Sequence, residues 1–341
     1  MIKKIIIPLI LLISNLSWAQ DIHFSQFDET PLFLNPANVG VPHEIRANVN
    51  YKSQWQSVNA PFKTMAVSVD GRLLKKKKNH IGMGIDFFSD KAGDGQMKTT
   101  QINFSLSGMV LLNKSNLLSA GLMLGYIERG MNMSAYSWSN QYNGLNYDAS
   151  RSSGELNRID NFNFLDLGAG IQYSYGSHEM YMTANNAKRL NLGISVFHPH
   201  QPAYSFLGDA TRLYAKFVFH GDAAIGIKNS NIVLKPSYVV FVQGPTKEIT
   251  PGLTAQYILS GDSKYTGIKK FSAVSIGGYY RAKDAFIALV KYEYNSCAIG
   301  FSYDINLSKL RTVSNTRGGF EISLRYAFDT YRRGATTSRF Y

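Results

Sequence analysis

The stretch RGGFEISLRYAF, residues 317–328, decides the fold class through its alternation. Every second side chain from Phe320 to Phe328 is aromatic or aliphatic. The intervening side chains are mostly polar or charged: Glu321, Ser323, Arg325 and the small Ala327. A period of two places one set on each face of an extended chain and indicates a β-strand with one apolar and one polar face.

The same alternation recurs along the whole chain, for example in residues 45–52, 101–107 and 190–196. Turn-forming residues separate the runs, and no helical period of useful length is present. Fourteen strands are predicted, near 45–53, 62–72, 80–89, 98–111, 117–129, 162–175, 189–197, 211–227, 231–242, 249–260, 271–281, 284–294, 296–305 and 318–328.

Composition narrows the class of all-β protein. Charged residues make up 17% of the chain, against about 25% in typical soluble domains. No segment contains the roughly 18 consecutive apolar residues of a membrane helix. A secreted β-sandwich and an outer-membrane barrel both remain open. Large apolar residues on one face of every strand, and an even strand number that closes without edges, favour an all-β, transmembrane, antiparallel up-and-down β-barrel of about 14 strands over residues 45–328.

The connections differ in length. Long ones are predicted at 131–161, 198–210 and 306–317, and short ones at 75–79, 113–116, 228–230 and 295. If the N-terminus lies in the periplasm, all three long connections fall on the outside. Outer-membrane barrels have short periplasmic turns and longer external loops, so the pattern supports this topology.

Both chain ends lie outside the predicted barrel. Residues 1–19 combine Lys3 and Lys4, an apolar run and the ending Ser17-Trp18-Ala19, which is typical of a signal peptide. Residues 329–341 are expected to form a basic periplasmic tail. Cys297 is the only cysteine, so a disulfide within the chain is excluded.

Residues 20–44 are predicted to form an N-terminal periplasmic or lumenal segment, which contains DIHFSQFDETPLFLNPANVG. Its prolines prevent both a regular helix and a central strand, and a fourteen-strand barrel is too wide to be filled by its own side chains. We expect the segment to be a plug-like element or a partner-binding element, with an idle periplasmic leader as the alternative. Its candidate residues are Phe24, Phe27, Phe33, Asn35, Pro36 and Gly40.

The formal net charge is +13, or 13 − 2 = +11 without Lys3 and Lys4. Because an exported protein rarely meets nucleic acid, an anionic membrane surface is the expected partner. The densest charge run is Lys75, Lys76, Lys77 and Lys78. We interpret it either as a solvated turn or as a basic periplasmic contact for a lipoprotein or cell-wall polymer.

No catalytic, cofactor-binding or metal site is predicted. Ser302 and Asp304 would share a strand face, but no histidine lies near them in sequence. The run His198-Pro199-His200 lacks adjacent Cys, Asp or Glu and is interpreted as loop structure. Gly82-Met83-Gly84 and Gly168-Ala169-Gly170 lack the context of a dinucleotide-binding turn and are interpreted as relief of strand curvature.

Three stretches resemble one family. QFDETPLFLNPANVG (26–40) is similar to the N-terminal signature of the PorP/SprF family of outer-membrane proteins, and GFSYDINLSKL (300–310) and RGGFEISLRYAF (317–328) are similar to its C-terminal signatures. The resemblance implies an outer-membrane barrel associated with type IX secretion and gliding. It also implies that the chain assists export or surface anchoring of a secreted adhesin or another type IX substrate.

We therefore expect a non-enzymatic barrel of the cell outer membrane that contacts lipid and a secreted partner. A porin or small-solute outer-membrane transporter is the main alternative, because the same physics would build it. An outer-membrane hydrolase is a third class, for which no catalytic constellation is visible.

Overall fold

The computed structural model describes residues 21–41, 43–54, 61–75, 79–93, 95–132, 136–154, 161–177, 188–206, 210–261, 270–308, 314 and 316–328. The predicted signal peptide, the predicted tail and Lys76–Lys78 lie outside the described residues. None of the helices in the described part of the chain combines the length and apolar character needed to cross a membrane.

Fourteen antiparallel strands close into a barrel in which each strand pairs with its neighbours in sequence and β1 pairs with β14. The predicted fold class is confirmed. The strands are β1 Ile45–Gln54, β2 Phe62–Lys75, β3 Asn79–Ala92, β4 Met97–Leu111, β5 Asn116–Gly130, β6 Asn161–Ser177, β7 Lys188–Phe197, β8 Lys216–Gly226, β9 Ile232–Gln243, β10 Thr246–Ser260, β11 Ser272–Arg281, β12 Ala285–Tyr294, β13 Cys297–Asn306 and β14 Arg317–Phe328.

One strand boundary lies more than three residues from its predicted position. Strand β8 begins at Lys216 rather than near residue 211. The residues before it form loop contacts instead, including an isolated bridge between Ala203 and Arg212. The apolar residues Leu213 and Tyr214 imitate the start of a strand in sequence.

Alternation gives the barrel an apolar outer face and a polar inner face. In β14, Leu324 is 50% exposed on the outside, while Glu321 and Ser323 are buried inside. Leu324 pairs with Val49 of β1 and Ile299 of β13, which are also exposed aliphatic residues. An aliphatic band of this kind suits the hydrocarbon region of a bilayer.

We expect Leu324→Arg to destabilise the barrel folded in lipid vesicles by about 2–4 kcal/mol, the cost of a cation on the lipid face near the bilayer midplane. The conservative change Leu324→Ile is the control and should fold like the wild type. The fraction of folded barrel, read from heat-modifiable gel mobility, measures the effect. Equal folding of the two variants would contradict the assigned lipid face.

The two ends of the barrel differ. We call the end that holds the start of β1 and the end of β14 the turn end, and the opposite end the loop end. The loop end carries the connections 131–160, 198–215 and 307–316, which correspond to the long connections predicted at 131–161, 198–210 and 306–317. The turn end carries the short connections 112–115 and 295–296, but also 178–187 and 261–271, which the sequence pattern did not single out.

The loop end is predicted to face the cell exterior. Cysteine in place of Ser139, in a loop-end connection, should react on whole cells with a maleimide that cannot cross the membrane. Cysteine in place of Asn79, at the turn end, should not react until the membrane is opened. Both changes are made in a Cys297→Ser background, and the reverse labelling pattern would overturn the orientation.

A plug of the lumen as the candidate functional site

Residues 21–41, which we call the plug, run lengthwise through the barrel. At the loop end, the backbone N–H of Asp21 donates to Oε1 of Gln243 over 2.9 Å. At the turn end, Nη2 of Arg72 donates to the carbonyl of Val41 over 2.6 Å. The segment therefore occupies the lumen from one end to the other.

Prolines and a capping side chain give the plug its local structure. Pro31 opens a single helical turn, Pro31–Leu34, and Pro36 opens a 3-10 turn, Pro36–Asn38. The Asn35 side chain between them accepts a hydrogen bond from the Ala37 N–H at 2.8 Å. Proline suits the first helical position because no partner is needed for its missing N–H. Gly40 follows at a φ of +66°, a left-handed conformation that glycine adopts without strain.

The plug phenylalanines face the inside of the barrel. Phe24 and Phe27 are buried, and Phe33 is half-buried. The ring of Phe27 lies 4.9 Å from that of Tyr279, centroid to centroid, and Phe24 packs edge-on against Phe88. In this arrangement the rings fill the lumen and are not presented to a partner outside it.

On one side of the lumen, small polar side chains form hydrogen bonds with the plug. Three serine hydroxyls from β4, β5 and β7 donate to plug carbonyls at 2.5 to 2.8 Å: Ser107 to Val39, Ser119 to Ala37, and Ser195 to Leu34. The Asn35 amide extends this contact by donating to the carbonyls of Ile171 and Ile194. Backbone groups that no strand could satisfy thus obtain partners from the wall.

Glycines on the same side give the plug room. A Cβ at Gly121 would collide with the backbone of Pro36 and Ala37, and one at Gly170 would collide with the Asn35 amide. A Cβ at Gly82 would lie 2.8 Å from the Val39 carbonyl. Gly82 and Gly170, two of the glycines predicted to relieve strand curvature, thus give the plug room, as does Gly121.

The other side of the lumen holds the plug through charges. The Oε1 atom of buried Glu29 lies 2.5 Å from Nζ of Lys291 and 3.1 Å from Nη1 of Arg325. Lys291 also contacts Asp28 at 2.7 Å. Removing one partner of such a buried cluster leaves the other charges without a partner, which is costly. These pairs therefore fix the position of the plug, whatever their net contribution to stability.

Glu321 binds the plug backbone directly. Its carboxylate accepts the N–H of Ser25 at 2.7 Å and the N–H of Gln26 at 3.2 Å. The Gln26 amide donates in turn to the Glu321 carbonyl at 3.0 Å. Beside it, the Ser25 hydroxyl donates to Asp304 at 2.8 Å. Charge-assisted bonds of this kind are among the strong ones in proteins.

At the loop end, His198 joins the plug to the wall. Its Nδ1 lies 2.7 Å from Asp166 and its Nε2 lies 2.9 Å from Asp21 of the plug. Burial acts to lower the pKa of His198, but hydrogen bonds and charges from Asp166 and Asp21 outweigh burial and raise the pKa to about 9. Burial acts to raise the pKa of Asp21, yet Lys216 and His198 hold that pKa well below its usual range. We call Asp21, Asp166 and His198 the clasp.

The clasp gives a pH dependence with a definite sign. Because the pKa of His198 is higher in the folded protein than its ordinary value of 6.5, its stabilisation is complete below pH 6.5 and is lost as pH rises through about 9. The unfolding temperature in detergent should therefore fall between neutral pH and pH about 10. The His198→Gln variant should lack this fall, whereas the exposed-loop control His200→Gln should keep it. An equal fall in both variants would contradict the clasp.

The plug divides the lumen into two vestibules. The loop-end vestibule, about 360 Å³ in volume, is lined by aromatic rings together with Asp90 and Arg129. The turn-end vestibule, about 170 Å³, is polar and rich in basic side chains. The basic residues are Arg46, Arg189, Lys235, Lys291 and Arg325.

The other predicted positions are placed as follows. Ser302 and Asp304 are both buried on the lumenal face. Lys75 ends β2 at the turn end, while the rest of the lysine run lies outside the described residues. In the described part of the chain, no group of three or more His, Cys, Asp or Glu side chains is arranged to hold a metal ion.

The sequence analysis missed the residues that hold the plug: Glu29, Glu321, Lys291, Arg325, and the clasp residues Asp21, Asp166 and His198. A usable signal existed, because charged residues recur on the polar face of β12 and β14. Their partners could not be identified, since they lie far away in sequence.

A search of curated proteins finds no match to the chain. Among solved structures, it is similar to the NanC porin (8% identity, TM-score 0.36, 84% of this chain and 99% of that chain). It is also similar to the β domain of the Bordetella autotransporter BrkA (10% identity, TM-score 0.35, 84% and 100%) and to OprB of Pseudomonas putida (9% identity, TM-score 0.39, 88% and 96%). Similarities at this level carry no information about function.

A family model described as type IX secretion system membrane protein PorP/SprF matches residues 16–326, nearly the whole chain. The resemblance inferred from the three sequence stretches is confirmed, and so is the outer-membrane location. The chain belongs to the PorP/SprF family of type IX secretion system membrane proteins.

Proposed function

We propose that the chain is a non-enzymatic barrel that assists type IX secretion by holding a secreted partner, such as an adhesin, at the outer surface. A contribution to gliding belongs to the same proposal. Family membership supports the link to secretion, and the plugged lumen supports a role other than free diffusion of solutes.

The main support for the proposal is that the plug fills the lumen and is held there by contacts on two sides. The plug is held on one side by serine and asparagine hydrogen bonds and on the other by the Glu29 and Glu321 contacts. A pore for solutes gains nothing from these contacts, since they close its path. A barrel that holds a partner gains a rigid, closed body on which loop-end segments can be presented.

Loop-end segments offer apolar contacts for such a partner. In the connection between β5 and β6, Tyr142 and Tyr147 form a bridge, and Leu145 at its tip is 85% exposed. The buried Gln141 amide orders this connection by donating to the Arg151 carbonyl. Exposed tyrosine and leucine side chains on an ordered scaffold suit protein recognition.

The alternative is a porin or small-solute transporter. It is favoured by one observation: the two vestibules lie at opposite ends of the lumen, with the plug between them. If the plug left its seat, a continuous path would open. In that case transport would require movement of residues 21–41.

Absence of catalysis is also part of the proposal. Asp304 is occupied by the Ser25 hydroxyl and by Arg281 at 3.2 Å. These contacts support a structural role for Asp304 beneath the plug.

Surface proteomics tests the secretion role. We compare three strains in a background from which the genes of other family members have been removed. The first carries the unchanged gene, the second lacks the whole gene, and the third lacks only residues 21–41. The proposal expects a surface adhesin to disappear when the gene is deleted. Unchanged display in the whole-gene deletion would reject the secretion role. Normal display in the plug deletion, at normal barrel abundance, would reject only the plug's part in it.

A further inference from the structure

Besides Lys216 and the clasp residues Asp21 and His198, which form ion pairs with one another, the loop-end vestibule contains two opposite charges, Asp90 and Arg129, with no ion pair between them. Asp90 of β3 is 5% exposed, and its carboxylate accepts a hydrogen bond from the Thr64 hydroxyl at 2.7 Å. Arg129 of β5 donates from Nη2 to the thioether sulfur of Met97, and its guanidinium lies 4.5 Å from the ring centre of Tyr204. Among the described residues, neither Asp90 nor Arg129 forms an ion pair.

The guanidinium group of Arg129 makes few hydrogen bonds. A thioether is a weak acceptor, and the buried Nε of Arg129 has no hydrogen-bond partner. Buried cations and carboxylates are ordinarily paired, because leaving them unpaired away from water is costly. Arg129 could therefore still pair with an anionic group, and Asp90 with a cationic group.

Strand register places the two charges in one row. Asp90 pairs with Thr99 of β4, and Thr99 pairs with Arg129 of β5. Neighbouring strands lie about 4.8 Å apart, so the two backbones are separated by about 10 Å. Both side chains line the same vestibule.

Aromatic side chains complete the vestibule. Phe24 and Phe33 from the plug and Phe88 from β3 form one cluster beside the charged row. The volume of about 360 Å³ is within the range of sites that bury small ligands, and such sites combine an apolar lining with a few converging polar groups.

We propose that the loop-end vestibule binds a small zwitterion with an apolar body, of the class of aromatic α-amino acids. The ligand's ammonium group pairs with Asp90, its carboxylate pairs with Arg129, and its ring packs against the cluster of Phe24, Phe33 and Phe88. Because the plug supplies two of these rings, the site exists only while the plug is seated.

The test uses the full-length chain in detergent and saturation-transfer NMR, with empty micelles as the background. Four probes separate the contributions: L-phenylalanine, N-acetyl-L-phenylalanine without the cation, L-phenylalaninamide without the anion, and glycine without the ring. L-phenylalanine should bind saturably, and each of the other three should bind about tenfold more weakly or worse, because loss of one partner leaves a charge unpaired.

Two variants assign the groups. Asp90→Asn should abolish the preference for L-phenylalanine over its N-acetyl form, and Arg129→Gln should abolish the preference over its amide. Arg189→Gln, in the turn-end vestibule, is the matched control and should keep both preferences. No saturable binding to the wild type, equal binding of L-phenylalanine and N-acetyl-L-phenylalanine, or preferences unchanged in both variants would overturn the proposal. Binding by the purified chain needs no secretion, so the result is independent of the proposed function.

Discussion

Deletion of residues 21–41 should convert a closed barrel into an open channel. Planar-bilayer recordings of the wild type should show little current, whereas the deletion should show large, steady conductance steps. The reason is geometric, since a barrel of this strand number leaves a wide lumen when its own side chains do not fill it. On one side of the lumen the wall that faces the plug contains glycines and serines, which are too small to close the gap.

The deletion should leave the barrel folded. Glu321, Lys291 and Arg325 lose their plug partners, but water entering the lumen solvates them. The strand ladders, including the β1–β14 closure, do not involve the plug. We therefore expect heat-modifiable mobility to persist at a lower unfolding temperature.

A deletion within the loop-end connection, residues 137–153, is the control for loss of mass. These residues lie outside the lumen contacts described above, so the channel should stay closed. If the plug deletion folds and still carries no current, the plug is not what closes the lumen. If the wild type already carries a large steady current, the lumen is not closed.

Gly121→Phe should expel the plug without shortening the chain. Position 121 lies on the lumenal face of β5, where even a Cβ would collide with the Pro36 and Ala37 backbone. A phenyl ring cannot share that space, and close-packed interiors do not absorb such a volume. The variant should therefore gain conductance and expose residues 21–41 to added protease.

Leu122→Phe is a matched control one position away. Leu122 is 68% exposed on the outer face, where a phenylalanine contacts lipid at little cost. This variant should remain closed and protease-resistant. Equal behaviour of the two variants would show that the plug does not lie against β5.

Local pattern was enough to predict the strands, because alternation within each segment fixes which side chains face out. The boundary of β8 was the exception, since Leu213 and Tyr214 look like a strand start but lie in loop contacts before Lys216. The prolines likewise indicated a segment without regular structure, and the structure has only single turns there.

The contacts of the plug could not be predicted in the same way. Ser25 and Glu321 are 296 residues apart, and Asp21 and His198 are 177 residues apart. Nothing local to either residue identifies its partner. His198 was judged by its neighbours Pro199 and His200, whereas its role comes from Asp166 and Asp21, which only the barrel brings near. The lumenal glycines presented the same difficulty, because the sequence shows that Gly121 and Gly170 lack a side chain but not which residues fill that space.

Cross-linking between the plug and the wall tests the central claim, that the chain's own N-terminal segment fills the lumen. Ala37 and Ser119 are in contact, with the Ser119 hydroxyl donating to the Ala37 carbonyl at 2.8 Å. In a Cys297→Ser background in native outer membranes, Ala37→Cys with Ser119→Cys should be joined by a short thiol cross-linker, as detected by mass spectrometry of the linked peptides. Ala37→Cys with Leu118→Cys, on the lipid-facing side of the same strand, should not be joined. Absence of the first link, or equal yields of both, would contradict a plug seated in the barrel.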